Sequence, residues 1–212
     1  MPQVGVNGCI ILAKRRHMKK LYILLTAALF TATVAQAKTY VVNSGKWTDA
    51  AAWNGDYAGT TISEGDVVII TGSVTMNTNV VVAGTVKVEK GASMVGMKDL
   101  VVTKTGMLVN HGNTVMKTIV NEGIINNNLV LETMVNFENK GIIGNDNTIV
   151  AGNNIHLYDG KAEGNGGTYF ANNTVVSNSA AVIGKDVKVL EGGILMDEQP
   201  AVAPAVTVSA NK

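Results

Sequence analysis

Proline is missing from the entire stretch between Pro2 and Pro200, and the 212-residue chain holds only three prolines in all. Every residue of that stretch can therefore donate a backbone N–H, which suits strands that bond to neighbours on both sides. Cysteine occurs once, as Cys9, and arginine only as Arg15 and Arg16. Aromatic residues make up 5% of the chain, so a core must be built from aliphatic side chains. No segment sustains a 3.6-residue apolar period, which argues against helices. No apolar run reaches the ~20 residues of a comfortable membrane span.

The first 37 residues read as an address rather than part of the fold. Met18-Lys19-Lys20, the apolar run Leu21 to Val34, and Ala35-Gln36-Ala37 form the basic start, apolar centre and small-x-small cleavage site of a secretory signal. Cleavage after Ala37 is expected. Upstream, Met1 to His17 carries Lys14-Arg15-Arg16. This is read as an over-long start with Met18 as the initiator, or alternatively as a long n-region. The mature chain would then hold no cysteine, which excludes disulfides and thiol catalysis. Twelve Lys would oppose sixteen Asp plus Glu, about −4, against +1 for the whole sequence. A mildly acidic chain without arginine is poorly suited to nucleic acid, which is held through Lys/Arg contacts to phosphate.

What is abundant is a short recurring pattern. Asn113-Thr-Val-Met, Asn128-Leu-Val-Leu, Asn147-Thr-Ile-Val and Asn173-Thr-Val-Val are spaced by 15, 19 and 26 residues. Alternating with the first three are Gly106-Met-Leu, Gly123-Ile-Ile and Gly141-Ile-Ile, spaced by 17 and 18. An imperfect repeat of this length, rich in Val, Ile, Thr, Gly and Asn, predicts a single-stranded parallel β-helix, a β-solenoid expected to be right-handed. Val86-Lys-Val-Glu alternates apolar and polar as a half-buried strand should. Gly and Asn clusters such as Asn126-Asn127-Asn128 bound the strands and accept left-handed angles at corners. Residues 62–198 form the solenoid in this reading, about seven coils spanning ~30–35 Å at ~4.8 Å between strands. Residues 199–212 read as a flexible tail. Stacked coils would align Asn113, Asn128 and Asn147 into a ladder of side-chain amides; the alternative places the three in exposed turns.

Residues 38–61 read as a first strand and a cap. They hold both tryptophans, Trp47 and Trp53, with Ala50-Ala51-Ala52 between them. One reading is an aromatic sugar platform. The other is a plug over the first coil, which would otherwise leave apolar surface and strand edges open.

The string Gly45-Lys46-Trp47, Trp53, Gly65-Asp66-Val67-Val68-Ile69-Ile70, followed by Val/Thr-rich coils, resembles the N-terminal start of secreted bacterial β-helix proteins. Asn121-Glu-Gly-Ile-Ile-Asn and Asn139-Lys-Gly-Ile-Ile-Gly are similar to filamentous-haemagglutinin-like and autotransporter-passenger repeats. The resemblance implies a surface or secreted adhesin-like protein.

Parallel β-helices also include polysaccharide lyases and hydrolases. The mature chain offers no arginine base, and its acids Asp99, Glu122, Glu132, Glu138, Asp146, Asp159 and Glu163 are scattered. Asp146 with Asp159, or Asp159 with Glu163, are the pairs that could reach the ~5–9 Å of a glycosidase. His111 and His156 have no acidic or Cys partner at ligand spacing, so no metal site and no cofactor is expected. Gly164-Asn-Gly-Gly-Thr lacks the strand-then-helix setting of a phosphate loop.

The expected function is that of an exported, non-catalytic adhesin-like or structural solenoid, extracellular, on the outer surface or in the periplasm. It would bind a host or bacterial glycan or protein. A pectin-lyase-like lyase or hydrolase is the alternative, and self-assembly through coil ends a third. Ligand contact is expected at Tyr158, Tyr169 and Phe170, where rings bracket an insertion; the competing reading has these rings packing the insertion onto the coils.

Overall fold

Alternation decides the architecture. Val67–Ile70, Thr85–Val88, Asp99–Val102 and Met107–Asn110 each show a half-buried residue followed by a buried one, twice over. A period of two with one face inside is a strand. The computed structural model describes residues 36–158, 161–163, 167–177 and the short strands 182–183, 188–189 and 194–197. The tail 199–212 and the signal core lie outside the described residues.

The strands stack into three parallel sheets of eight. Sheet A runs through Thr39–Val42, Val67–Ile70, Thr85–Val88, Met107–Asn110, Ile124–Asn127, Ile142–Asn145, Lys161–Glu163 and Val182–Ile183. Sheet B runs through Gly45–Lys46, Ser73–Thr75, Ser93–Val95, Asn113–Met116, Val130–Thr133, Thr148–Ala151, Thr168–Ala171 and Lys188–Val189. Sheet C runs through Thr61–Ile62, Val80–Val82, Asp99–Val102, Thr118–Asn121, Phe137–Asn139, Ile155–Leu157, Thr174–Ser177 and Ile194–Asp197. One strand of each sheet, in the order A, B, C, makes one coil, and coils are numbered from the N-terminus. Six coils, from Thr39 to Leu157, are continuous in the described residues. The fold is a parallel β-solenoid with no α-helix among the described residues. Lys38–Asn43 belongs to it rather than preceding it, because Thr39–Val42 pairs with Val67–Ile70 and heads sheet A.

The interior is a set of columns. Val68, Val86, Leu108, Ile125 and Ile143 are successive register partners, all buried. Across the coil, Leu100, Ile119, Phe137 and Ile155 stack in the same way. Each β-branched or aliphatic side chain meets its like one coil on, so the same apolar choice is reinforced at every step.

The two tryptophans close the first coil. Ala50–Trp53 forms a short 3-10 turn, capped by Asp49, whose side chain accepts from the Ala51 amide at 3.1 Å. Trp47 and Trp53 are fully buried, their rings edge-to-face with centroids 4.6 Å apart. Each indole N–H has a carbonyl: Trp53 Nε1 donates to Trp47 O at 2.6 Å, and Trp47 Nε1 to Gly59 O at 2.9 Å. Tyr40 and Tyr57 add edge contacts to Trp53. Rings enclosed in this way plug the coil and offer no face to a sugar.

The repeat glycines are set apart from the left-handed corners. Among the described residues, positive φ occurs at Asn54 and at Gly45, Gly55, Gly59, Gly65 and Gly91. Gly106, Gly123 and Gly141 are not among them. A Cβ on Gly123 would sit 2.2 Å from Thr103 O and 2.3 Å from Gly106 O, and one on Gly141 would sit 2.2 Å from Gly123 O. These glycines let one coil's backbone lie directly on the next.

Candidate functional surface

Separating structural from available polar groups starts inside. Sheet A's inward column begins Val42, Ile70, Val88 and then becomes Asn110, Asn127, Asn145. Asn110 Nδ2 donates to Asn127 Oδ1 and Asn127 Nδ2 to Asn145 Oδ1, both at 2.8 Å. The same amides also reach the following turn, Asn110 to Val130 O at 2.8 Å and Asn127 to Leu129 O at 3.1 Å and Thr148 O at 3.0 Å. Thr114 Oγ1 donates to Asn110 Oδ1 at 2.9 Å. A second ladder stands at the corner from sheet C to sheet A, where Asn121 Nδ2 donates to Asn139 Oδ1 at 2.7 Å. All five asparagines are buried. Satisfied amides of this kind cost little to bury, and they tie the corners where the strand ladder is interrupted.

The ladder therefore does not run through Asn113, Asn128 and Asn147. These three are exposed, and Asn113 is in register with Val130. Asn128 Nδ2 instead donates to Asp146 Oδ2 at 3.2 Å. At Asn113, Asn128 and Asn147 the signature marks the outward start of a sheet B strand and at Asn173 that of a sheet C strand, while the stacking amides Asn110, Asn127 and Asn145 end the sheet A strands before the first three.

The three aromatics chosen as a ligand surface are separated by strand alternation. In Thr168–Ala171, Tyr169 points inward and is fully buried, and Phe170 lies half-buried on the outer face. Burial pushes the Tyr169 hydroxyl well above its ordinary pKa, and its oxygen has no partner among the described residues. Tyr158 follows the sheet C strand of coil 6 at the surface. Its hydroxyl bonds His156 Nδ1 at 2.7 Å, and the two rings meet edge-to-face at 5.2 Å. Glu138 is the register partner of His156 one coil earlier. Lys140 follows Asn139, and Tyr158 follows Asn139's register partner Leu157 and donates its amide to Asn139 O, so Lys140 lies one coil before Tyr158 on the same edge and is exposed. Asp159 and the side chain of Glu163 lie outside the described residues, as does most of the insertion 159–166.

A second outward feature lies at the corner from sheet A to sheet B. Between the register positions Val88 and Ser93, coil 3 inserts Glu89-Lys90-Gly91-Ala92. Coil 4 has only His111-Gly112 at that corner, and coil 5 only Asn128-Leu129. The longer turn overhangs the shorter ones and leaves an open depression of about 410 Å³ lined by Glu89, Lys90, His111, Asn128 and Leu129. Lys87 Nζ and Glu89 Oε1 form an ion pair of 2.8 Å at its edge. The unequal spacing of residues between Val88 and Ser93 was the available sign of this feature, and the repeat pattern alone passes over it.

No group of three or more His, Cys, Asp or Glu among the described residues is arranged to hold a metal ion. Among the described residues no helix is long and apolar enough to cross a membrane. No family model, curated protein or solved structure matches the chain.

Proposed function

We propose that the chain is an exported, adhesin-like β-solenoid that works by presenting its outer faces to a glycan or protein partner, without catalysing a reaction. The observation that carries this reading is the His156–Tyr158 pair. Two half-buried rings joined by a 2.7 Å hydrogen bond lie on the outer side of sheet C, in register with Glu138 and next to the exposed Lys140 one coil earlier, so ring surface, a carboxylate and an ammonium share one edge. That combination suits the apolar face and hydroxyl edges of a sugar ring. The interior supports the same division of labour, since its amides are spent on one another and its rings plug the first coil. Export is favoured by Met18-Lys19-Lys20 and the apolar run to Val34.

A glycan-array screen of the full chain, with each hit then assayed for cleavage, tests the reading. Binding without new reducing ends or unsaturated products is the expected result. Turnover of a bound glycan would replace the reading with an enzyme, and silence across the array would remove the glycan as partner.

A further inference from the structure

The geometry points to the depression at the corner from sheet A to sheet B as a binding site for one neutral sugar residue, independent of the His156–Tyr158 edge. This rests on the reading that the outer surface engages glycans, and it names a place and a ligand class. The volume of about 410 Å³ falls near the lower end of the ~300–1,000 Å³ of small-molecule sites.

The lining selects the ligand. Lys87 and Lys90 together balance Glu89 and Asp146, the latter held at the rim by Asn128, so the walls carry no net charge and an anion would meet two carboxylates on approach. A cation would meet Lys90 and the Lys87 that neutralises Glu89. What remains is a set of donors and acceptors around an uncharged guest. The Lys90 ammonium has no ion-pair partner among the described residues, and the His111 ring has no hydrogen bond there. Asn128 uses Nδ2 on Asp146 and keeps Oδ1 as an acceptor. Leu129 is 39% exposed and supplies the one apolar wall, against which the C–H face of a pyranose would lie.

The walls are pre-positioned. The amides of Glu89, His111 and Asn128 bond Ile70 O, Val88 O and Asn110 O, so the three side chains rise from one column of successive coils. The overhanging turn is closed by Ala92 N on Glu89 O at 3.0 Å and bent at Gly91, φ +83. The buried ladder holds the opposite wall: Asn127 Nδ2 grips Leu129 O and Asn110 Nδ2 grips Val130 O. A site whose walls are held this way loses little freedom on binding.

The test is NMR of the His111 imidazole in the full chain, assigned by His111→Gln. Glucose, galactose, mannose and N-acetylglucosamine are added singly, with inorganic phosphate as the anionic probe. The expected result is a saturable His111 shift with at least one sugar and none with phosphate. Leu129→Ala or Asn128→Ala, both at exposed positions, should weaken it tenfold or more with an unchanged melting temperature. A His111 signal that no sugar moves, one moved by phosphate instead, or a sugar response intact in both variants each overturns the site. Array binding with a silent His111 sinks this site alone, whereas a silent array removes the broader glycan reading.

Discussion

Asn110 donates through Nδ2 to Asn127 Oδ1 at 2.8 Å across 17 residues of sequence, with both side chains fully enclosed. Asn127 passes the bond on to Asn145 and also grips Leu129 O and Thr148 O. Asn127→Ala removes the middle rung: Asn110 Nδ2 keeps only Val130 O, Asn145 Oδ1 keeps only the longer Asn147 N–H at 3.4 Å, and Leu129 O and Thr148 O each lose a side-chain donor. At ~0.5–1.5 kcal/mol for each net hydrogen bond lost from the buried ladder, the expected loss is about 2–4 kcal/mol. Urea unfolding of Asn127→Ala beside Asn128→Ala checks this. The second, whose amide sits at the surface, should fall within about 0.5 kcal/mol of the parent.

The class of fold was legible because period-two alternation and the 17- and 18-residue glycine spacing survive in the bare sequence. The ladder was misplaced by one strand end. Asn110, Asn127 and Asn145 stand four residues after Gly106, Gly123 and Gly141, and Asn121 and Asn139 stand two before the last pair. The signal was thus present in Asn121-Glu-Gly-Ile-Ile-Asn-Asn127. It was obscured because asparagine is ordinarily outside, and only stacking gives a buried amide its partners. The aromatic site was over-read for a related reason. Tyr169 and Phe170 are adjacent in sequence, and adjacency within a strand puts side chains on opposite faces.

The glycine column makes a sharp contrast between two residues of the same type. Gly123→Ala drives a Cβ to 2.2 Å from the Thr103 carbonyl, which is backbone and cannot swing away. Coils 4 and 5 must separate locally, at an expected cost of about 3 kcal/mol or more. At Gly144 the nearest atom is Asn126 Oδ1 at 3.1 Å, the end of an exposed side chain. Gly144→Ala should lie within about 1 kcal/mol of neutral, because alanine also restricts the unfolded chain. Equilibrium denaturation of both variants decides it, and equal costs would contradict the stacked-backbone explanation.

The plug gives a spectroscopic prediction. Trp53 is enclosed by Trp47, Tyr40 and Tyr57, and its N–H bonds Trp47 O. Trp53→Ala should cost about 3–5 kcal/mol, the range for deleting a large buried ring. The remaining Trp47 emission should move to the red as water reaches it. Tyr57→Ala, removing a ring 38% exposed, should cost about 1 kcal/mol or less and leave the emission unchanged. Red-shifted fluorescence in the parent would contradict the enclosed pair.

Tyr169 links the core to pH. Burial is the cause that raises its pKa in the fold, while the unfolded chain ionises near ~10. The sign follows: below pH ~10 the neutral hydroxyl is present in both states and the group contributes no pH dependence. As pH rises further, the unfolded chain gains by ionising and the folded chain cannot, so stability falls until the folded pKa is passed. Tyr169→Phe removes that loss. It also removes a hydroxyl with no partner among the described residues, so at pH 7 the variant should be as stable as the parent or slightly more so. Melting temperatures at pH 7 and pH 11 are the measurement. The parent should lose more than Tyr169→Phe between the two, and a destabilised Phe variant at pH 7 would mean that the hydroxyl holds a bond the core depends on.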